Sequence, residues 1–150
     1  MGEFPVRRYE DALLHALWKG RGRRGWWLLE VPVGHGAAGR QRRIDAVVIH
    51  DAGPRVSGQG QDLEEFGQAV AGAHIEVIEA KKRLNFSVVG QVLAGTAMLS
   101  ERHPDHGPMD ATALVGTDHD AALRWFCHRE RIRIVEIAAD WGVASSRPRS

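Results

Sequence analysis

The sequence of 150 residues has a single cysteine, Cys127, and no long uninterrupted apolar run. One thiol excludes an internal disulfide and a cysteine-based zinc cluster, which favours a reducing compartment. No stretch has the length that a bilayer-spanning helix requires, and the N-terminus lacks the pattern of a signal peptide. We therefore expect a cytoplasmic protein without a membrane partner, in which Cys127 is a buried structural thiol.

An excess of charge of either sign is also absent, because the formal net charge is +1. No overall basic field indicates a polyanionic partner, although arginines cluster locally at Arg7–Arg8, Arg21–Arg24 and Arg40–Arg43. Lysine is scarce, with three residues against 17 arginines. Lys81 therefore suggests a role for a compact point charge that a planar guanidinium does not fill.

Periodicity of apolar residues predicts one domain over residues 1–150, with an α/β fold and a central mixed β-sheet flanked by helices. The predicted helices are Pro5–Lys19, Gln61–Ala71, Phe86–Arg102 with Asn85 as its N-cap, and a last helix that Asp118 caps and that ends near Arg131. The predicted strands are Trp26–Val33, Arg42–His50, His74–Arg83, Ala111–Thr117 and Ile132–Ala138.

Glycine-rich and polar segments separate these elements. Gly34–Gln41 is predicted as a flexible turn, and it lacks the lysine and hydroxyl residues of a phosphate-binding loop. Asp51–Gly60 has the composition of a turn, and Asp105–Asp110 is predicted as a loop. Residues 51–74 as a whole are predicted to be an insertion that forms a short helix or a mobile flap. The chain from about 143 is predicted to be a flexible tail.

The central predicted strand reads HIEVIEAKKR from His74 to Arg83. Strand alternation puts Ile75, Val77, Glu79 and Lys81 on one face and Glu76, Ile78 and Ala80 on the other. A carboxylate and an ammonium at a strand end can together hold a divalent metal and stabilise a developing negative charge. Asp45 lies within the preceding apolar strand, where an isolated carboxylate is costly unless a partner stabilises it.

These residues and their order resemble the PD-(D/E)xK nuclease superfamily, whose members share a restriction-endonuclease-like αβββαβ core. The matching residues are Glu10, Asp45, Glu79–Ala80–Lys81 and Gln91, and the resemblance covers roughly residues 8–138. Two features depart from the family pattern. The 34 residues from Asp45 to Glu79 exceed the tight hairpin of minimal members, and Ile44 stands where a proline often precedes the aspartate.

The resemblance implies a metal-dependent endonuclease that hydrolyses DNA with Mg²⁺ or Mn²⁺ as cofactor. Asp45 and Glu79 would be metal ligands, the Ala80 carbonyl a further ligand, and Glu10 a ligand through a water or a second ion. Lys81 would orient or deprotonate the attacking water, or stabilise the pentavalent phosphate.

Gln91 would hold a ligand or contact the phosphate backbone. Arg42, Arg43, Lys82 and Arg83 are candidates for nucleic-acid binding, although a solvated surface position explains them as well. A homodimer would suit the family, because one site cuts one strand. The short chain leaves little room for a recognition domain, so we expect structure-selective or partner-directed cutting.

Other interpretations remain open at this point. Glu79 and Lys81 can form an ordinary surface ion pair, and Asp45 can pair with Arg42 or Arg43. Glu10 can be a first-turn acid that favours the helix dipole. The chain can then be a catalytically inactive nuclease-fold subunit that binds nucleic acid or assembles with a partner. It can also be a Rossmann-like domain that binds a small molecule or another protein.

Overall fold

The structure, a computed structural model, describes residues 4–33 and 42–138. Within these ranges the elements are α1 (Tyr9–Gly20), β1 (Trp26–Val33), β2 (Arg42–Ile49), β3 (Arg55–Ser57), α2 (Leu63–Val70), β4 (Ile75–Arg83), α3 (Phe86–Arg102), β5 (Met109–Thr117), α4 (Ala121–Arg129) and β6 (Ile132–Glu136). The turn predicted at Gly34–Gln41 and the tail predicted from about 143 lie outside the described residues.

The strands form one six-stranded sheet in the order β3-β1-β2-β4-β5-β6. β2 is antiparallel to both β1 and β4, whereas β1–β3, β4–β5 and β5–β6 are parallel pairs. The predicted α/β class with a central mixed sheet is therefore confirmed. β4 lies between the antiparallel half and the parallel half, and its first six residues, 75–80, are buried on both faces of the sheet.

Helices cover the two faces unequally. On one face, α1 packs on a cluster that includes Trp27, Ile78 and Leu114. On the other face, α2, α3 and α4 cover two clusters, one around Ile75 and one around Val115. Each large apolar side chain buried in this way contributes about 1.5–3 kcal/mol. Among the described helices, none is both long enough and apolar enough to cross a membrane.

The predicted alternation of β4 is confirmed, because Ile75 and Ile78 belong to clusters on opposite faces of the sheet. The predicted span of α3 is also confirmed, and the Asn85 side chain accepts a hydrogen bond of 2.9 Å from the Val88 N–H. Both features depend on local pattern, which is why the sequence predicts them well.

Two predicted helix starts are wrong. The first helix begins at Tyr9 rather than at Pro5, because the Asp11 carboxylate accepts the N–H groups of Arg7 and Arg8 and holds the preceding chain outside the helix. The last helix is capped by Asp120 rather than by Asp118. The Asp120 side chain accepts the Leu123 N–H at 3.0 Å.

The predicted turn and loop regions contain strand residues. Arg55–Ser57, within the predicted turn Asp51–Gly60, forms β3 and pairs with β1 at the edge of the sheet. β5 begins at Met109, within the predicted loop Asp105–Asp110. Pairing with a neighbouring strand creates both segments, and neither has a local pattern of its own.

The segment predicted as an insertion belongs to the folded core. Its helix α2 is capped by Asp62, whose carboxylate accepts the N–H groups of Glu64 and Glu65. Phe66 and Val70 of this helix are almost fully buried in the cluster under β1 and β4. The short-helix alternative is therefore confirmed for Leu63–Val70.

Candidate functional site

The backbone pairing of β2 with β4 stops just before two acidic residues. It runs from Ile49 opposite Ile75 to Ala46 opposite Ile78. The same register continued by one residue would put Asp45 opposite Glu79. Here hydrogen bonds from backbone N–H groups to the two carboxylates take the place of the backbone-to-backbone hydrogen bonds of the β-ladder. The Asp45 Oδ2 atom accepts the Ala80 N–H at 2.8 Å, and the Glu79 Oε1 atom accepts the Asp45 N–H at 3.3 Å.

A change of strand face accompanies this break. Ile44 and Val47 pack in the same cluster, although a separation of three residues puts side chains on opposite faces of a regular strand. The pairing of β1 with β2 skips Glu30 and Asp45. Glu30 has a φ of 53°, a left-handed conformation that costs a non-glycine residue roughly 1–3 kcal/mol. Backbone strain is therefore present directly across from Asp45.

The two carboxyl groups lie next to one another, Glu79 buried and Asp45 half-buried. Glu79 is 4% exposed, and burial together with the negative charge of Asp45 raises its pKa to about 9. Burial also raises the pKa of Asp45, against the opposing effect of the Ala80 N–H. Without a cation, such a pair retains a proton at neutral pH. A divalent cation between the two groups would replace that proton.

A cavity of about 330 Å³ opens beside this pair on the face covered by α3. Arg42, Arg43 and Gln91 line it together with the two acidic residues. Gly95 on α3 makes room for the carboxylate, because a Cβ atom there would lie 3.3 Å from the Glu79 Oε2 atom. The break in the ladder therefore produces a site that opens to a polar cavity.

Asp45 also lines a second cavity of about 230 Å³, together with Arg7, Asp11 and Glu30. Of the two acids in the first turn of α1, Asp11 therefore shares a cavity with Asp45. Glu10 is half-buried and lines neither this cavity nor the one beside Gln91. The predicted role of Glu10 remains a prediction, and Asp11 and Glu30 are acidic neighbours that the motif did not indicate.

Lys81 and Ala80 continue β4 beyond the acidic pair. Lys81 is half-buried, and its positive charge is among the influences that lower the pKa of Asp45. The Ala80 N–H points to the edge of β4 that faces β2, where Asp45 accepts it. In a strand the N–H and C=O groups of one residue point to the same edge, so the Ala80 carbonyl also faces the gap.

The surface-pair interpretations do not fit this geometry. Glu79 is buried, and in the described part of the chain no ion pair within 4.0 Å joins it to Lys81. Asp45 likewise makes no such pair with Arg42 or Arg43. Both arginines are exposed at the mouth of the cavity, and Lys82 and Arg83 are exposed at the end of β4.

No family model, curated protein or solved structure matches this chain. The resemblance to the PD-(D/E)xK nucleases therefore rests on the residues named above and on their arrangement. The described chain contains α1, β1, β2, β4, α3 and β5 in this order, with β3 and α2 between β2 and β4. The restriction-endonuclease-like core itself remains a prediction.

A second buried acid lies on the opposite face of β4. Glu76 is fully buried, and both of its carboxylate oxygens accept from Arg21, at 2.6 and 3.1 Å. Thr112 donates to it at 2.5 Å, and His50 lies at 2.9 Å. Burial alone would raise the pKa of Glu76, but the bonds from His50, Arg21 and Thr112 outweigh burial and lower it to about 2.

Sequence reasoning missed the role of Glu76 and its neighbours. The argument applied to Asp45, that an acid in an apolar strand needs a partner, applies equally to Glu76. A further signal was the position of His50 and His74 at the ends of two predicted strands. Antiparallel pairing of those strands puts the two histidines side by side.

Proposed function

We propose that the protein is a metal-dependent phosphodiesterase, an endonuclease acting on DNA, with Asp45 and Glu79 as ligands of Mg²⁺ or Mn²⁺. The observation that carries the proposal is the facing carboxyl pair, which opens to a cavity and has no cationic partner within 4.0 Å among the described residues. A buried acid in contact with a half-buried one is unfavourable unless a proton or a cation lies between them.

The donor set suits a hard divalent cation. Asp45 and Glu79 offer carboxylate oxygens, and the Ala80 carbonyl faces the same gap. Mg²⁺ and Mn²⁺ prefer oxygen ligands and retain several waters, for which the open cavity has room. When bound, the ion would supply Lewis acidity at the scissile phosphate.

The remaining residues would position water and phosphate. Lys81 would orient or deprotonate the attacking water, or stabilise the negative charge of the pentavalent phosphate. Gln91, at the wall of the cavity, would hold a ligand or contact the phosphate backbone. Attack of water forms one P–O bond while the P–O bond to the leaving oxygen breaks. The proton from the attacking water passes to solvent, through Lys81 or directly, and the leaving oxygen takes up a proton from solvent.

Basic side chains surround this end of the sheet and support a polyanionic substrate. Arg42 and Arg43 line the cavity on the α3 face, and Arg7 lines the cavity on the α1 face. Lys82 and Arg83 follow the site on β4 and are exposed. Since the net charge of the whole chain is only +1, this local concentration of positive charge would direct phosphates to one end of the molecule.

Cleavage of supercoiled plasmid and of labelled single-stranded, duplex and branched DNA tests the proposal. The reactions contain Mg²⁺, Mn²⁺ or EDTA, and they compare the wild type with Asp45→Asn, Glu79→Gln and Lys81→Ala. Lys19→Ala is the matched control, because it removes an exposed lysine that lines neither of the two cavities beside Asp45. We expect metal-dependent cutting that all three site variants lose, by at least about a hundredfold, and that Lys19→Ala retains.

Cutting that survives Asp45→Asn and Glu79→Gln would contradict the assignment of the site. Binding of DNA without any cutting would favour the catalytically inactive relative. Neither cutting nor binding, with no effect of Mn²⁺ on thermal stability, would leave the small-molecule or protein-interaction domain as the better interpretation. Gel filtration of the active protein, with and without DNA, tests the expected homodimer.

A further inference from the structure

Three side chains with metal-binding atoms meet at the end of the sheet opposite Asp45. His50 follows β2, His74 precedes β4 and Asp110 is the second residue of β5, so they come from three adjacent strands. Each contributes one potential ligand atom, and these atoms all lie within 4.8 Å of one another. We call His50, His74 and Asp110 the histidine cluster.

Backbone bonds hold the histidine cluster in place. The His50 N–H donates to the His74 carbonyl at 3.0 Å, which extends the β2–β4 pairing by one residue. The His74 N–H donates to Asp51 at 3.1 Å. The two imidazole rings lie 4.7 Å apart, and the His74 Nε2 atom is 2.7 Å from the Asp110 Oδ2 atom. The ligand atoms are therefore positioned by the sheet rather than by flexible loops.

Glu76 orients one of the two imidazoles. Its carboxylate is held on both oxygens by Arg21, so it faces the His50 Nε2 atom at 2.9 Å as an acceptor. The proton of a neutral His50 then lies on Nε2, and the Nδ1 atom is left with its lone pair. A buried carboxylate that fixes the tautomer of a histidine is the usual support behind a metal-ligating imidazole.

We propose that the histidine cluster binds a divalent transition-metal ion of the Zn²⁺ class. Two imidazole nitrogens and one carboxylate oxygen form a donor set that Zn²⁺ and its first-row neighbours prefer over Mg²⁺. The side chains of His50, His74 and Asp110 are 30%, 40% and 36% exposed. That exposure leaves room for at least one further ligand from solvent, as in zinc sites with three protein ligands.

The ion would enter the histidine cluster directly from solvent, because all three side chains are partly exposed. The ion would be separate from the Mg²⁺ or Mn²⁺ of the proposed active site, because the two ligand sets lie at opposite ends of the β2–β4 pairing. The two sites differ in donor chemistry, nitrogen-rich at one end and oxygen-only at the other, so they would take different metals.

Titration with Co²⁺, followed by its visible absorption and by equilibrium dialysis, tests the proposal on protein without a histidine tag. We expect one Co²⁺ per chain, displaced by Zn²⁺ and not by Mg²⁺. His74→Ala and Asp110→Asn should each weaken Co²⁺ binding by about tenfold or more. His128→Ala removes an exposed histidine on α4 and should leave the affinity unchanged. Circular dichroism checks that each variant is folded.

The double variant Asp45→Asn/Glu79→Gln separates this site from the active site, and it should retain the Co²⁺ spectrum while losing DNA cleavage. Co²⁺ affinities of His74→Ala and Asp110→Asn within about threefold of the wild type would overturn the proposal. A wild-type protein that binds no Co²⁺ would overturn it as well. If His74→Ala does not fold, His74→Gln tests the same ligand at similar volume.

Discussion

Glu76 and Glu79 lie three residues apart on β4 and are both buried, but their pKa values are shifted in opposite directions. The pKa of Glu76 is lowered to about 2, whereas that of Glu79 is raised to about 9. The strand turns them to opposite faces of the sheet, so they have different neighbours. Arg21, His50 and Thr112 surround Glu76, while the nearest titratable neighbour of Glu79 is another acid, Asp45.

Burial has the same effect on both residues, since it disfavours the charged form, and the neighbours decide the outcome. The site of Glu76 is complete, because its cation is the Arg21 side chain. The site of Glu79 lacks a cation among the described residues, which is the property expected of a site that binds one from solution. The comparison therefore separates a carboxylate that is paired with a cation of the chain from one that we propose binds a metal ion.

Replacement of Glu76 should give the largest effect on stability. In Glu76→Gln the Arg21 guanidinium loses its buried counter-charge, so we expect the free energy of unfolding to fall by about 3 kcal/mol. Urea denaturation at pH 7 measures the change. Glu65→Gln is the control, because it removes one partner of the exposed Arg55–Glu65 pair and should change stability far less. Equal losses in the two variants would contradict the structural role of Glu76.

Replacement of Glu79 should raise the free energy of unfolding rather than lower it. The folded protein holds the Glu79 proton up to about pH 9, and the unfolded chain releases it near pH 4.5. The contribution of protonated Glu79 to the free energy of unfolding is therefore fully present below about pH 4.5 and is lost as the pH rises towards 9. Glu79→Gln cannot ionise, so it should stabilise the metal-free protein at pH 7 by roughly 1–3 kcal/mol. The gain should vanish at pH 4.

Mn²⁺ should reverse the order of stability of the wild type and Glu79→Gln. The ion binds the ionised pair, so it should raise the thermal midpoint of the wild type and leave Glu79→Gln unchanged. The Asp45→Asn variant should respond like Glu79→Gln. A midpoint of Glu79→Gln that rises with Mn²⁺ as much as that of the wild type would show that the ion binds elsewhere.

The contrast between the two acids also shows which features of the site can be predicted from the sequence. Alternation in HIEVIEAKKR indicates that Glu76 and Glu79 lie on opposite faces, and the structure confirms this through Ile75 and Ile78. What each acid meets depends on the direction and register of strands distant in sequence. Arg21 is 55 residues from Glu76, and Asp45 is 34 residues from Glu79.

Local pattern also fails where pairing alone creates structure. The three residues of β3 have no strand pattern and are ordered by pairing with β1. The left-handed φ of Glu30 has no signal in WWLLEVPV, because glycine or asparagine is the usual residue in that conformation. The strained conformation of Glu30 becomes apparent only in the structure, where Glu30 lies across from Asp45. The motif therefore indicates the acids of the site, and the sheet explains why they meet.

A glycine on α3 offers a smaller change beside Glu79. In Gly95→Ala the added Cβ atom would lie 3.3 Å from both the Glu79 Oε2 atom and the Ile44 Cγ1 atom, so the carboxylate must shift by a few tenths of an ångström. We expect Mn²⁺ affinity to fall by about tenfold, with a stability change within about 1 kcal/mol. Isothermal titration calorimetry measures the affinity.

Gly90→Ala is the matched control on the same helix. An added Cβ atom there meets nothing within 4 Å, so the change should stabilise α3 by about 0.5–1 kcal/mol without affecting Mn²⁺. Equal Mn²⁺ affinities in Gly95→Ala and Gly90→Ala would contradict the expected displacement of the Glu79 carboxylate from the metal site.

The smallest effect should come from the first turn of α1, where the sequence motif and the structure indicate different acids. Glu10 matches the motif, but Asp11 shares a cavity with Asp45 and accepts the Arg7 and Arg8 N–H groups. Glu10→Gln should therefore leave Mn²⁺ affinity within about threefold of the wild type and change stability by less than about 0.5 kcal/mol. Asp11→Asn should cost about 1 kcal/mol through the weakened cap. A tenfold loss of Mn²⁺ affinity in Glu10→Gln alone would restore Glu10 to the metal site, since a water or a second ion would then bridge it to Asp45.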